Sequence, residues 1–199
     1  MPPRTTRAIV QTGPRRLELR ELPVPNIDDD SGLLRIEACG ICGSDAEQYA
    51  GILPAQWPLI PGHEPLGVIE RIGDRAAKRW GVDVGDRVAV EVLIPCGHCR
   101  ACLAGRYQVC RGRGGMFGYS YVPLSRPPAL WGAYADYMYL DPCSLVHRMR
   151  KDIPASDCHI MASDVNDREN GATSTTPPSG IRRTAPPRKK DGVTASSVG

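Results

Sequence analysis

The chain is 199 residues long, 41% hydrophobic and 24% charged, with 25 Lys and Arg against 22 Asp and Glu. No run of about 18 uncharged apolar residues occurs, which excludes a membrane-spanning helix. A formal net charge of +3 leaves almost no surplus to neutralise phosphates, so a nucleic-acid binder is disfavoured.

From the N-terminus, short runs rich in β-branched residues alternate with Gly, Pro and Asp. They predict strands at Ala8–Val10, Leu17–Leu22, Leu33–Ala38, Leu66–Ile72, Arg87–Val92, Tyr134–Leu140 and Leu145–Arg148. Between the third and fourth, Ser44–Tyr49 reads as one or two helical turns with Ser44 or Asp45 as N-cap. Strands of this length and spacing predict a mainly β fold, a closed or nearly closed barrel with short helices. Residues 1–155 are long enough to bury roughly 68–70% of their unfolded surface and stand as one domain.

The aromatic residues (three Trp, seven Tyr, one Phe) all lie between Tyr49 and Tyr139. Residues 156–199 hold only scattered apolar positions without helical or strand period, and include Thr173-Ser174-Thr175-Thr176-Pro177-Pro178 and Pro186-Pro187-Arg188-Lys189-Lys190. Such a segment cannot offset an ordering cost of about 1–2 kcal/mol per residue, so disorder is expected there.

Gly 21 and Pro 19 together make about a fifth of the chain, and eight cysteines are many for a chain of this type. The start Met1-Pro2-Pro3-Arg4-Thr5-Thr6-Arg7 carries no apolar leader, so the expectation is a cytoplasmic protein whose cysteines bind metal and do not form disulfides. Cys96, Cys99, Cys102 and Cys110 have the spacing C-x2-C-x2-C-x7-C within segment 95–111. Four thiolates in one excursion of the chain can close a tetrahedral shell around Zn²⁺, and four protein ligands leave no open position, which makes the zinc structural. Gly97 and Gly105 permit the tight turns. An iron–sulfur site shares the opening C-x2-C-x2-C, but its fourth cysteine usually follows after three residues and precedes a proline; here it follows after seven and precedes Arg111. With four cysteines available, His98 is expected in solvent.

A second constellation is Gly40-Ile41-Cys42-Gly43-Ser44-Asp45 with Gly62-His63-Glu64. The Cys42 thiolate and the His63 imidazole would supply two ligands of an open, catalytic zinc site. Asp45 suits the role of acceptor for the other N–H of His63, fixing its tautomer. Ser44 places a hydroxyl suited to passing a proton, and Glu64 is set to tune the site or to coordinate transiently.

With G-I-C-G-S-D, P-G-H-E-P-L-G-V-I-E, G-D-R-V and the four-cysteine segment in this order, residues 7–155 resemble the zinc-dependent alcohol dehydrogenases of the medium-chain dehydrogenase/reductase superfamily. The resemblance implies a GroES-like catalytic domain, with Cys42 and His63 as catalytic zinc ligands, Ser44 as proton-relay hydroxyl, and Cys96, Cys99, Cys102 and Cys110 as the structural shell. It implies oxidation of a small alcohol, or the reverse, with hydride passing to NAD(P). Cys39 and Cys143 are expected in the core. Tyr49, Trp57 and Trp131 are placed either in the core or on a pocket wall.

The family continues into a Rossmann half with G-x-G-x-x-G after a strand, and this chain has none. Its nearest glycine cluster, residues 112–118, has the wrong spacing. No residue matches the family's third catalytic ligand; Cys158, His159 and Asp164 qualify by proximity alone. The abrupt change after Ala155 is what a shift of reading frame would leave, with residues 156–199 out of frame. The expectation is therefore a truncated catalytic domain, inactive by itself, and the alternative is a zinc-binding barrel module that catalyses nothing.

Overall fold

The computed structural model describes residues 5–112 and 118–155. It opens with strand β1 (Thr5–Gly13), whose Thr6, Ala8 and Val10 point inward while Thr5 and Arg7 face solvent. A tight turn leads into β2 (Arg16–Pro23), antiparallel to β1 with Ile9 opposite Leu19. This hairpin is tied to the rest of the domain through backbone: the Ile9 N–H donates to Tyr134 O at 2.8 Å, and Gln11 and Leu59 exchange bonds of 2.8 and 3.0 Å.

The remaining strands form a five-stranded antiparallel sheet: β3 (Gly32–Gly40), β4 (Glu64–Ile72), β5 (Arg87–Val90), β6 (Tyr137–Leu140) and β7 (Val146–Arg148), in the order β6-β3-β4-β5-β7. Its inner face packs Leu34, Ile69, Val88, Val90, Met138 and Leu140 against Tyr119 and Trp131. Each such buried side chain contributes roughly 1.5–3 kcal/mol. A smaller cluster, Ala8, Val10, Ile60 and Leu130, lies under the hairpin. Mainly β structure is thus what the short apolar runs anticipated. β5 and β6 are shorter than those runs, because residues 91–92 bond to Leu145 and Tyr119 in loops and residues 134–136 bond mainly to the β1 hairpin.

One register positions the chemistry. β3 and β4 pair so that Gly40 lies opposite Glu64. Cys42, two residues past Gly40, and His63, one residue before Glu64, are thereby brought side by side.

Helix α1 (Gly43–Ala50) begins at Cys42, not at Ser44 or Asp45 as the sequence suggests. Asp45 instead occupies the third helical position and its Oδ2 accepts the Cys42 N–H at 2.9 Å, a reciprocal capping arrangement. The helix ends at Gly51 with φ of 79°, where only glycine is unstrained. Helix α2 (Asp74–Trp80), unanticipated from sequence, buries Ala76 alone and therefore leaves no apolar stripe to read. A short α3 (Arg100–Leu103) and a 3-10 turn (Tyr107–Val109) shape the cysteine-rich segment. Arg87 is nearly buried; it pairs with Glu37 at 2.7 Å and donates to the carbonyls of Arg150 and Ile153, pinning residues 149–153 against β5. Among the described residues no helix is long and apolar enough to cross a membrane. The expected tail, 156–199, with Cys158, His159 and Asp164, lies outside the described residues, as do residues 113–117 of the glycine cluster.

Candidate active site

Cys42 Sγ lies 2.8 Å from Ser44 Oγ and 3.2 Å from His63 Nε2, and Ser44 Oγ lies 3.3 Å from the same nitrogen. On the far side of the ring, His63 Nδ1 is 3.4 Å from Asp45 Oδ1, with the two side chains only 10% and 7% exposed. Asp45 therefore spends one oxygen on the start of α1 and the other on the imidazole. Pairing at Nδ1 leaves Nε2 turned toward the thiol and the hydroxyl.

The electrostatics follow from this geometry. The close approach of the Asp45 carboxylate raises the His63 pKa to about 9 against the opposing effect of burial. Burial pushes the Asp45 carboxyl up, but the bonds from His63 and from the Cys42 N–H outweigh it and hold the group below its ordinary value. Asp45 Oδ1 makes no hydrogen bond of normal geometry, so the imidazole at 3.4 Å is the neighbour that orients it. Cys42, Asp45 and His63 bring one thiol, one carboxylate and one ring nitrogen within 4.8 Å of one another, a donor set that suits zinc. Glu64 stands apart from this group. Its carboxylate lies across Gly40, in the space a Cβ there would need.

Beside the cluster opens a cavity of about 400 Å³ lined by Ser44 and His63, by the apolar Val92, Leu93 and Val109, and by Tyr121, Gln108 and Arg111 with polar groups. Trp131, one of the aromatics proposed from sequence, is buried in the core, edge-on to Tyr139 at 5.2 Å. Tyr49 is exposed and donates to Arg15 O at 3.3 Å, and Trp57 is half-buried away from the cavity. Among the described residues, Tyr121 is the aromatic that lines the cavity; its phenol is raised by burial first and then by the nearby Asp45 and Cys42.

The second group is the lobe. The Sγ atoms of Cys96 and Cys102 are 3.9 Å apart, those of Cys99 and Cys102 3.5 Å, and those of Cys99 and Cys110 3.9 Å. Tetrahedral coordination with bonds of about 2.3 Å requires separations of about 3.8 Å, so these four sulfurs fit a zinc shell. Backbone amides already face them: the Cys99 N–H donates to Cys96 Sγ at 3.4 Å and the Cys96 N–H to Cys110 Sγ at 3.3 Å. Donation from the Cys102 backbone and thiol draws Cys99 down to about 6, and the Cys96 amide draws Cys110 down as well. Loss of solvent pushes Cys102 up to about 12. Gly97 turns with φ of 77°, and a Cβ at Gly112 would sit 2.5 Å from Cys96 Sγ. His98 is exposed with Nδ1 2.8 Å from Cys96 O, outside the four-sulfur group. The lobe is joined to the sheet by Glu91, which accepts from the Tyr107 hydroxyl at 2.8 Å and meets His147 Nε2 at 2.9 Å. Cys39 and Cys143 pack against the main core, and burial pushes the Cys39 thiol up to about 12.

An antiparallel β domain that sets a Cys/His pair at a cavity and a four-thiol lobe beside it is the architecture of zinc-type medium-chain dehydrogenases. The chain belongs to the alcohol dehydrogenase GroES-like domain family, which it matches over residues 28–151. It is 49% identical over 147 residues to a Mycobacterium tuberculosis protein named "Probable alcohol dehydrogenase adh", covering 74% of this chain and 40% of that one. It is 37% identical over 163 residues to the erythritol/L-threitol dehydrogenase of Mycolicibacterium smegmatis, covering 77% and 43%. Among solved structures, a thermostable alcohol dehydrogenase from Pyrobaculum aerophilum superposes with a TM-score of 0.65 at 28% identity, over 79% of this chain and 44% of that one. The chain thus spans about two fifths of the length of the curated relatives it matches.

Proposed function

We propose that this chain is the catalytic domain of an alcohol dehydrogenase-like oxidoreductase that interconverts a small alcohol and its carbonyl compound with NAD(P). The observation that carries the reading is the convergence of Cys42 Sγ, Ser44 Oγ and His63 Nε2 within 3.3 Å at the edge of the cavity. Cys42 and His63 would hold the catalytic zinc, and Cys96, Cys99, Cys102 and Cys110 the structural one. Zinc supplies Lewis-acid polarisation of the substrate oxygen when bound.

The chain's own residues do the rest. Asp45 keeps the proton on His63 Nδ1, so Nε2 is the nitrogen that would give up its proton and coordinate. Ser44 Oγ takes up the alcohol proton and releases its own toward Tyr121 and solvent. Val92 and Leu93 give the cavity an apolar lining beside the reacting carbon. No described residue forms a G-x-G-x-x-G loop, so in the working enzyme the nicotinamide is bound by other parts. Cobalt replacement tests the reading. Co²⁺ absorbs in the visible at both kinds of site, but only the open Cys/His site has a coordination position that responds to added alcohol; a four-thiolate shell has none. The intact chain should show a saturable alcohol-dependent change that Cys42→Ser abolishes; an unresponsive spectrum, or one unaffected by Cys42→Ser, sinks the reading.

A further inference from the structure

We infer that Gln48 is a positioning residue that sets the Tyr121 wall of the cavity against the Ser44 wall. Gln48 lies on α1 one turn beyond Ser44 and is 2% exposed. Its Nε2 crosses 72 positions of sequence to donate to Ser120 O at 2.7 Å. Ser120 is itself buried, with φ of 69° in the left-handed region and an Oγ that has no hydrogen-bond partner. A non-glycine residue persists in such a conformation only where its surroundings over-determine it. Here the Ser120 N–H is fixed to Trp131 O at 2.9 Å, the Tyr119 N–H to Val92 O at 2.8 Å, and the carbonyl to Gln48.

The first two of those ties hold the segment to the sheet and the core. The third holds it to the helix that carries Ser44 and Asp45. Tyr121, next in the chain, lines the same cavity as Ser44. The Gln48 amide therefore sets the separation of the two hydroxyls that a bound alcohol oxygen meets. A second buried amide, Gln11, serves as contrast: its Nε2 donates to Gln48 O at 3.0 Å and to Gly13 O at 3.3 Å, satisfying the end of the same helix without touching Ser120.

This inference rests on the Cys42–His63 site being an alcohol site, and the test separates the two. The full chain loaded with Co²⁺ is titrated with propan-1-ol, alongside Gln48→Met and Gln11→Met, with thermal melting of each. Both variants should melt lower. Gln48→Met should weaken propan-1-ol about five- to tenfold while its alcohol-free spectrum stays that of the unsubstituted chain, and Gln11→Met should bind the alcohol as the unsubstituted chain does. Equal affinity in Gln48→Met, or equal weakening in Gln11→Met, overturns the positioning role and leaves the site reading intact. An unsubstituted chain that ignores the alcohol removes both. Should Gln48→Met fail to fold, the isosteric Gln48→Glu, which cannot donate to the carbonyl once ionised, gives the same comparison.

Discussion

Replacing Asp45 by Asn keeps the shape of the side chain and an oxygen for the Cys42 N–H, but removes the charge that faces His63 at 3.4 Å. In the metal-free protein the imidazole titrates at about 9 instead of 6.5, chiefly through that carboxylate. By linkage the difference corresponds to about 3 kcal/mol favouring the folded state. The group is raised, so this stability is fully present below pH 6.5 and is lost as the pH climbs through about 9. Urea unfolding in chelator at pH 6, 7.5 and 9 should show the unsubstituted chain losing up to about 3 kcal/mol across that window. Asp45→Asn should start lower and decline less. The four lobe cysteines are common to both proteins and far from Asp45, so their ionisation cancels in the comparison. NMR of the His63 C2 proton gives the midpoint directly. A midpoint near 6.5 in the unsubstituted chain, or parallel pH slopes in the two proteins, would refute the reasoning.

Cys102→Ser should remove the one chelator-resistant zinc expected per chain, because its sulfur lies within 3.9 Å of two of the other lobe thiols; metal analysis after dialysis against chelator reads this, and retained zinc contradicts it. Gly62→Ala should cost about 2–3 kcal/mol in urea unfolding, since Gly62 has φ of 88° and an added Cβ would sit 2.5 Å from Tyr134 Cδ1; a cost under about 0.5 kcal/mol would mean the turn relaxes freely. Tyr107→Phe deletes the 2.8 Å bond to Glu91 and should accelerate amide exchange across Arg100–Cys110 while leaving β3 and β4 unchanged. Uniform acceleration would show that the bond stabilises the whole domain and does not hold the lobe in particular.

Much of this architecture is legible locally. Alternating burial in β1, the continuous apolar runs of β4 and β5, and the C-x2-C-x2-C-x7-C spacing each express a short-range rule: a strand has period two, and four thiolates spaced within one short loop can close a tetrahedral shell. What stayed hidden depends on partners distant in the chain. Helix α2 presents one small buried residue, Ala76, so no periodic signal marks it. Cys42 starts α1 because Asp45 caps it, a role that a thiol's modest capping preference does not advertise. Tyr121 sits in Gly118-Tyr119-Ser120-Tyr121, where nothing separates it from the fully buried Tyr119 two residues earlier; the left-handed Ser120 and the long-range reach of Gln48 decide which of the two faces the cavity.

All four lobe cysteines fall within fifteen consecutive residues, which makes the segment look portable, a cassette to be lifted into another scaffold. Glu91 argues otherwise. It belongs to the chain before the cassette, and its two oxygens hold Tyr107 inside the cassette and His147 on β7. A graft that takes the cysteines without this carboxylate and its histidine would keep a metal cage and lose its orientation. Exchange of lobes between relatives should therefore succeed when Glu91, Tyr107 and His147 travel as a set, and when the recipient aligns them.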